Sequence, residues 1–196
     1  MRLLRLALPL AAALPLAACI SFGAEPPESL ATLTPTSAIP AGQARAARDG
    51  QTVIVAVPVV PQELSTPRVP VQSGATAIAY LKDAQWIDAP NRLFRDVLAE
   101  TIQSRTAHAV LDPRQAAIAG GIRLGGKLVQ FGLDSDSKSV VAVYDATLVR
   151  GAEKNGGEVR RFEARVPVTA ETPQTVIPAL NQAANQIAVE VADWIR

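Results

Sequence analysis

Two hydrophobic periods run along this chain, and they divide it into helices and strands. Between residues 90 and 104, Leu93, Phe94, Val97, Leu98 and Ile102 recur at helical spacing, with Arg92, Arg95 and Glu100 elsewhere. That stripe predicts an amphipathic helix over Pro90–Ser104, with Asp88 or Ala89 as its cap and Pro90 in its first turn. Near the C-terminus Val176, Leu180, Ala183, Ile187, Val191 and Ile195 form a second stripe. It predicts a helix over about Thr175–Ile195 whose regular part starts close to Pro178, since an interior proline clashes with the preceding turn.

A period of two governs the stretch between these helices. Phe162, Ala164, Val166 and Val168 alternate with Arg161, Glu163 and Arg165, which predicts a strand with one buried and one solvated face. Ile122–Phe131, Ser139–Val149 and Glu158–Val168 read as three strands. The polar turns Leu133–Lys138 and Gly151–Gly157 separate them, so an antiparallel meander is expected.

The first half is less regular. Leu30–Leu33 reads as a short strand, and Ala41–Gly50 as a polar, alanine-rich loop with a helical turn. Thr52–Val60 is β-branched and apolar on both faces, as in a central strand covered on both sides. Pro58 cannot donate to a ladder, so this strand should end or meet an edge there. Residues 61–75, with Pro61, Pro67, Pro70 and Gly74, read as an extended crossing segment. Thr76–Leu81 then reads as a further strand, ahead of Gln85–Ala89 and the first helix. Strands followed by a helix, without strict βα alternation, predict an α+β fold. The expected architecture is a mixed, mostly antiparallel sheet with two long helices packed on one face.

The N-terminus changes the picture of where this fold works. Arg2 and Arg5 precede the apolar run Leu6–Leu14, a pattern of export signals and shorter than the ~20 residues of a membrane-spanning helix. Leu16-Ala17-Ala18-Cys19 looks like a bacterial lipobox, whose cysteine is acylated and becomes the first residue after cleavage. Three acyl chains exceed the two signals that stable anchoring takes, and Ile20 at the next position resembles outer-membrane sorting. The expected organisation is a signal peptide over 1–18, a lipidated tether over 19–28 and one domain over 29–196. Without Arg2 and Arg5 the chain holds 17 basic and 18 acidic side chains, a net charge of about −1. No basic patch suggests nucleic acid.

Candidate chemistry is sparse. Gly121-Ile-Arg-Leu-Gly-Gly126-Lys127 has the spacing of a phosphate-binding loop, but Leu128 stands where Ser or Thr must hold magnesium, and a strand follows. Its glycines therefore read as a bulge or a close backbone contact. His108, the single histidine, has no nucleophile motif to serve and reads as a polar or capping residue. Asp134 and Asp136 lack the ligand count of a calcium loop and read as turn residues. With one cysteine, one histidine and eight aromatic residues, no catalytic residue, metal site or cofactor is assigned. A binding or assembly module is the better reading.

The order of several short segments is more specific. It runs from Val55-Ala-Val-Pro-Val-Val-Pro61 through Glu63-Leu-Ser-Thr-Pro-Arg-Val69 to Ile78-Ala-Tyr-Leu81. Ala84-Gln-Trp-Ile-Asp-Ala-Pro90 and a helix carrying Leu93, Leu98 and Ile102 follow. Together with the terminal Ala192-Asp-Trp194-Ile195 and the lipobox, this resembles the ABC-type transport auxiliary lipoproteins, the PqiC-like family. In that family the strand usually continues past the position of Val69, where this chain has Pro70. The resemblance implies a non-enzymatic, outer-membrane-anchored periplasmic component of an MCE-type lipid transport system, whose partners are an MCE-domain protein and its permease and ATPase. Cys19 would then provide attachment, while the domain binds the MCE partner or assembles into a homo-oligomeric ring. Pro67, Tyr80 and Trp86 mark the expected contact region. A pilotin-like assembly lipoprotein and a lipid-binding carrier remain the alternatives.

Overall fold

The computed structural model of the chain describes residues 29–42, 51–111, 121–151 and 157–196. The expected signal peptide and tether with Cys19, most of the expected 41–50 loop, and residues 112–120 and 152–156, with the turns expected there, lie outside these residues. Seven strands and two helices follow in the order β1 (Thr52–Val55), β2 (Arg68–Ser73), β3 (Ala77–Gln85), α1 (Pro90–Arg105), β4 (Ala109–Leu111), β5 (Ile122–Asp134), β6 (Ser139–Arg150), β7 (Glu158–Pro167) and α2 (Pro173–Ile195). A single 3-10 turn, Gln62–Leu64, sits between β1 and β2.

All seven strands form one mixed sheet. β5 is its spine. Along one side β5 pairs antiparallel with β6 over its whole length, and β6 pairs antiparallel with β7. The other side of β5 is shared: β1 runs parallel to its first residues and β2 parallel to its last. β4 lies beside β1, and β3 beside β2 in an antiparallel hairpin. The antiparallel ladders are long and the parallel ones short, in keeping with the expected α+β sheet.

Both helices cover the same face. α2 packs on β3, β5, β6 and β7, α1 on β1 and β4, and the two helices on each other. The alternation in β7 emerges as expected, with Phe162, Ala164 and Val166 buried and Val168 partly buried against the same core. Ala179, Ala183, Ala184, Ala188 and Ala192 are all buried on α2, and small side chains there let α1 approach closely. An aromatic chain crosses the core. Trp86 meets Phe131 at 5.9 Å, Phe131 meets Phe94 at 6.2 Å, and Phe94 meets Tyr144 edge-on at 5.3 Å between ring centroids. Such pairs add about 0.5–1.5 kcal/mol each beyond the area they bury. Burial pushes the Tyr144 phenol well above its ordinary pKa, and its hydroxyl donates to the Gly125 carbonyl at 2.7 Å.

Three expectations need correction. The apolar run at 52–60 yields a strand of four residues only. Beyond Val55 the chain still follows β5, with Ala56 N donating to Leu124 O and Val59 N to Gly126 O, but Pro58 interrupts a regular ladder. The 61–75 segment does not simply cross: its second half is β2, which carries Pro70 inside the sheet. The strand continues past Val69, with Pro70 opposite Tyr80 after a register shift, and its ladder to β5 begins only at Val71, so the proline's missing N–H falls outside that ladder. Pro178 lies inside α2, which starts five residues earlier at Pro173. The missing bond falls near the N-terminus, where its loss costs the helix least.

Candidate interaction surface

The segments that carry Pro67, Tyr80 and Trp86 converge at the base of the β2–β3 hairpin. Pro67 is half-buried, and its carbonyl accepts the Trp86 N–H at 2.7 Å. On the other side of Trp86 the N-terminal segment closes in, with Ala31 N donating to Gln85 O at 2.7 Å and Ile87 N to Ala31 O at 2.8 Å. The short strand expected at Leu30–Leu33 appears here as one bridge, Ala31 to Trp86.

Alternation then decides which side chains are available. The Trp86 indole is 1% exposed and packs on Phe131, so it builds the platform and offers no surface itself. Its Nε1 has no hydrogen-bond partner among the described residues. Ile87, the next residue, turns outward at 62% exposure. Tyr80 is half-buried, with the Arg68 guanidinium 3.9 Å above its ring, a cation–π contact that holds the ring flat on the hairpin. Ile78 is half-exposed two residues before it. A notch of about 30 Å³ lies between Ile78, Leu64, Pro70 and Gln130.

The hairpin is held at both ends. At its tip the Gly74 N–H donates to Asp136 Oδ2 at 3.0 Å, where Gly74 takes the positive φ that suits glycine. Asp134 orders the neighbouring turn, its Oδ1 accepting Asp136 N and its Oδ2 accepting Ser137 Oγ at 2.8 Å. The Ser137 hydroxyl is the first reason its carboxyl is held below the usual range. Both aspartates thus serve turns, as their sequence context implies.

Other candidate positions resolve into structure. Residues 122–128 are strand. A Cβ on Gly126 would sit 2.0 Å from the Asp145 carbonyl, and one on Gly121 would sit 2.1 Å from Thr52 Oγ1. Close strand approach is what these glycines allow. His108 Nδ1 lies 3.3 Å from Thr106 Oγ1 just past α1. Its pKa is lowered, first by burial and then by Arg150. Arg150 Nη1 donates to Ile195 O, and Arg196 Nη2 donates to Arg105 O, so the basic groups here serve the ends of the helices. Among the described residues no group of three or more His, Cys, Asp or Glu could hold a metal ion.

The residues that clip the N-terminal segment onto the fold are absent from the sequence reading. Asn185, buried on α2, donates to Thr34 O at 2.9 Å and accepts from Thr36 N at 2.7 Å, while Asn181 accepts from Thr34 N at 2.7 Å. The signal was available as two asparagines four apart within an otherwise apolar stripe.

Residues 32–192 match the family model for the ABC-type transport auxiliary lipoprotein component. Two solved structures share the fold at 16% identity. Protein XCC0632 from Xanthomonas campestris aligns with a TM-score of 0.71 over 85% of this chain and 93% of that one. The crystal structure of an uncharacterized protein aligns with a TM-score of 0.64 over 76% and 95%. No functionally curated protein matches the sequence significantly. The match spans the whole folded unit, from the strap clipped by Asn181 and Asn185 to the last turn of α2, and the chain belongs to the ABC-type transport auxiliary lipoproteins.

Proposed function

We propose that the chain is an outer-membrane lipoprotein, attached through acylated Cys19, that docks an MCE-type lipid transport system at the periplasmic face. The family match carries this reading, on a chain whose single cysteine lies in a lipobox-like Leu16-Ala17-Ala18-Cys19. The family is a transport component and not an enzyme class. The described chain begins at Ser29, and the ten residues 19–28 span at most ~33–36 Å when extended. The domain is therefore held close to the surface that carries its lipid.

Docking is favoured over lipid carriage by the linings of the grooves. A groove of about 490 Å³ along α2 carries the exposed Gln182, Gln186 and Glu190 beside Pro178 and Val189, and an acyl chain laid there would strip the carboxylate and both amides of water. The anchor is tested with Cys19→Ala, which should abolish palmitate labelling and move the protein out of the outer-membrane fraction. Docking is tested by purifying the lipidated chain from cells that co-express an MCE-domain protein. Absence of that protein from the eluate would overturn the docking reading.

A further inference from the structure

The sheet has an unshielded edge, and its geometry selects one kind of occupant. Gln72 O accepts from Ser135 N, and the Pro70 carbonyl lies against Gly132. Both β2 residues thus direct their backbone groups at β5. In an antiparallel pair these groups alternate between neighbours, so β2 bonds β3 through Val71 and Ser73, opposite Ala79 and Ala77. The N–H and C=O groups of Ile78 and Tyr80 consequently face away from β2, and no described strand pairs with that side.

Nothing in the local sequence protects it. Residues 73–81, Ser-Gly-Ala-Thr-Ala-Ile-Ala-Tyr-Leu, carry no charge and no proline, the features natural edges use against pairing. Protection begins only at Lys82 and Asp83. Four residues of β3 lie there between the pairs Tyr80–Pro70 and Gln85–Arg68, and Asp83 adopts a φ of 56°. The regular edge is thus confined to Ala77–Leu81.

We propose that the β3 edge over Ala77–Leu81 accepts an extended, uncharged segment of a partner protein as an added strand. The proposal rests on the docking reading above and names the surface and the chemistry of the partner. Outward main-chain groups on alternate residues fit an extended peptide. Val69 and Val71 face the core, so Ile78 and Tyr80 share the opposite face with Pro70 and Gln72. A partner residue beside Ile78 would meet an apolar floor that continues into the notch at Leu64 and Gln130. The hairpin is also pinned at its base by Pro67–Trp86 and at its tip by Asp136–Gly74, which lowers the ordering cost of binding.

The docking reading makes the occupant a strand of another protein, and pairing with a second copy through this edge is an outcome of the test that overturns it.

The test uses the full lipidated chain with a co-expressed MCE-domain protein. Hydrogen exchange of the complex should slow the amides of Ile78 and Tyr80 and leave Ala77 and Ala79, already bonded to β2, unchanged. Tyr80→Pro, which deletes an outward N–H, and Ile78→Lys, which adds an edge charge, should each weaken capture at least about tenfold. Val159→Lys on β7 should have no effect, and unchanged melting of Ile78→Lys excludes misfolding. Capture that persists in both β3 variants, with no new protection, overturns the edge proposal and leaves docking intact. If the wild-type chain captures nothing, the docking reading fails. A photoreactive side chain at position 78 in cells then decides the edge: an adduct with another protein that Tyr80→Pro abolishes sustains it. No adduct, or an adduct only with a second copy, overturns it.

Discussion

The two long edges of this sheet are built on opposite principles. β7 is ten residues long, and five of them, Glu158, Arg160, Arg161, Glu163 and Arg165, are charged. Arg161 also grips Asp145 of β6 with two bonds of 2.6 and 2.7 Å, a pair that screens the open face without adding much stability. β3 places no charge on its first five residues, and it ends in a wide bulge instead. The third edge, β4, is only three residues long. Solvated charge keeps an edge from pairing, and a bare edge is an invitation to pair. The difference marks β3 as the side of the sheet open to a partner and β7 as the side closed to one.

The largest effect that would break this contrast lies under β3. Trp86→Ala removes an indole packed on Phe131 and should cost about 3–5 kcal/mol in urea unfolding. Because Trp86 N bonds Pro67 O, the hairpin should also lose hydrogen-exchange protection before β7 does. Equal loss at both edges would show that Trp86 is ordinary core and not the base of the hairpin.

Next in size is the strap. Asn185→Ala strands the Thr36 N–H and the Thr34 carbonyl and should cost about 1–3 kcal/mol. Its local signature is proteolysis within residues 29–39, with β7 still protected. Converting Arg161, Glu163 and Arg165 together to threonine should then remove the shield from β7. Thermal stability should stay within about 0.5 kcal/mol, as for exposed substitutions, while light scattering should reveal association absent from the parent chain. A monodisperse triple variant would mean that charge is not what closes β7.

The smallest effect is a pH response remote from both edges. His108 is held below its ordinary value of 6.5 by burial and by Arg150, so the unfolded chain binds the proton more readily. Its contribution to stability is therefore complete above pH ~6.5 and declines as pH falls toward the lowered folded-state value. His108→Gln should flatten this slope in denaturant titrations between pH 7 and 5 and leave both edges unchanged.

Much of the fold was legible because it is local. The α1 stripe from Leu93 to Ile102 and the alternation of Phe162, Ala164 and Val166 each encode one buried face within a few residues of chain. The hairpins of β5, β6 and β7 follow from polar turns between apolar runs. The segment from 55 to 75 was read less well, because its strands are completed by residues far away. β1 stops at Val55 though the apolar run continues, and β2 forms around Pro70 because β5 supplies acceptors and donors on one side and a bulge relaxes the register on the other.

The candidate surface divides in the same way. By itself the sequence determined the fold class, the family and a chain whose single cysteine stands in a lipobox-like setting. It also nominated Pro67, Tyr80 and Trp86 as a contact region. Only the tertiary structure decided that Trp86 is buried beneath that region, that Ile78 and Ile87 are presented on it, and that the edge of β3 is bare. The physical reason is that a strand's exposure is a property of its neighbours. Ala-Ile-Ala-Tyr-Leu is as suited to the middle of a sheet as to its edge, and the arrangement of β2 and β5 beside it settles which of the two it becomes.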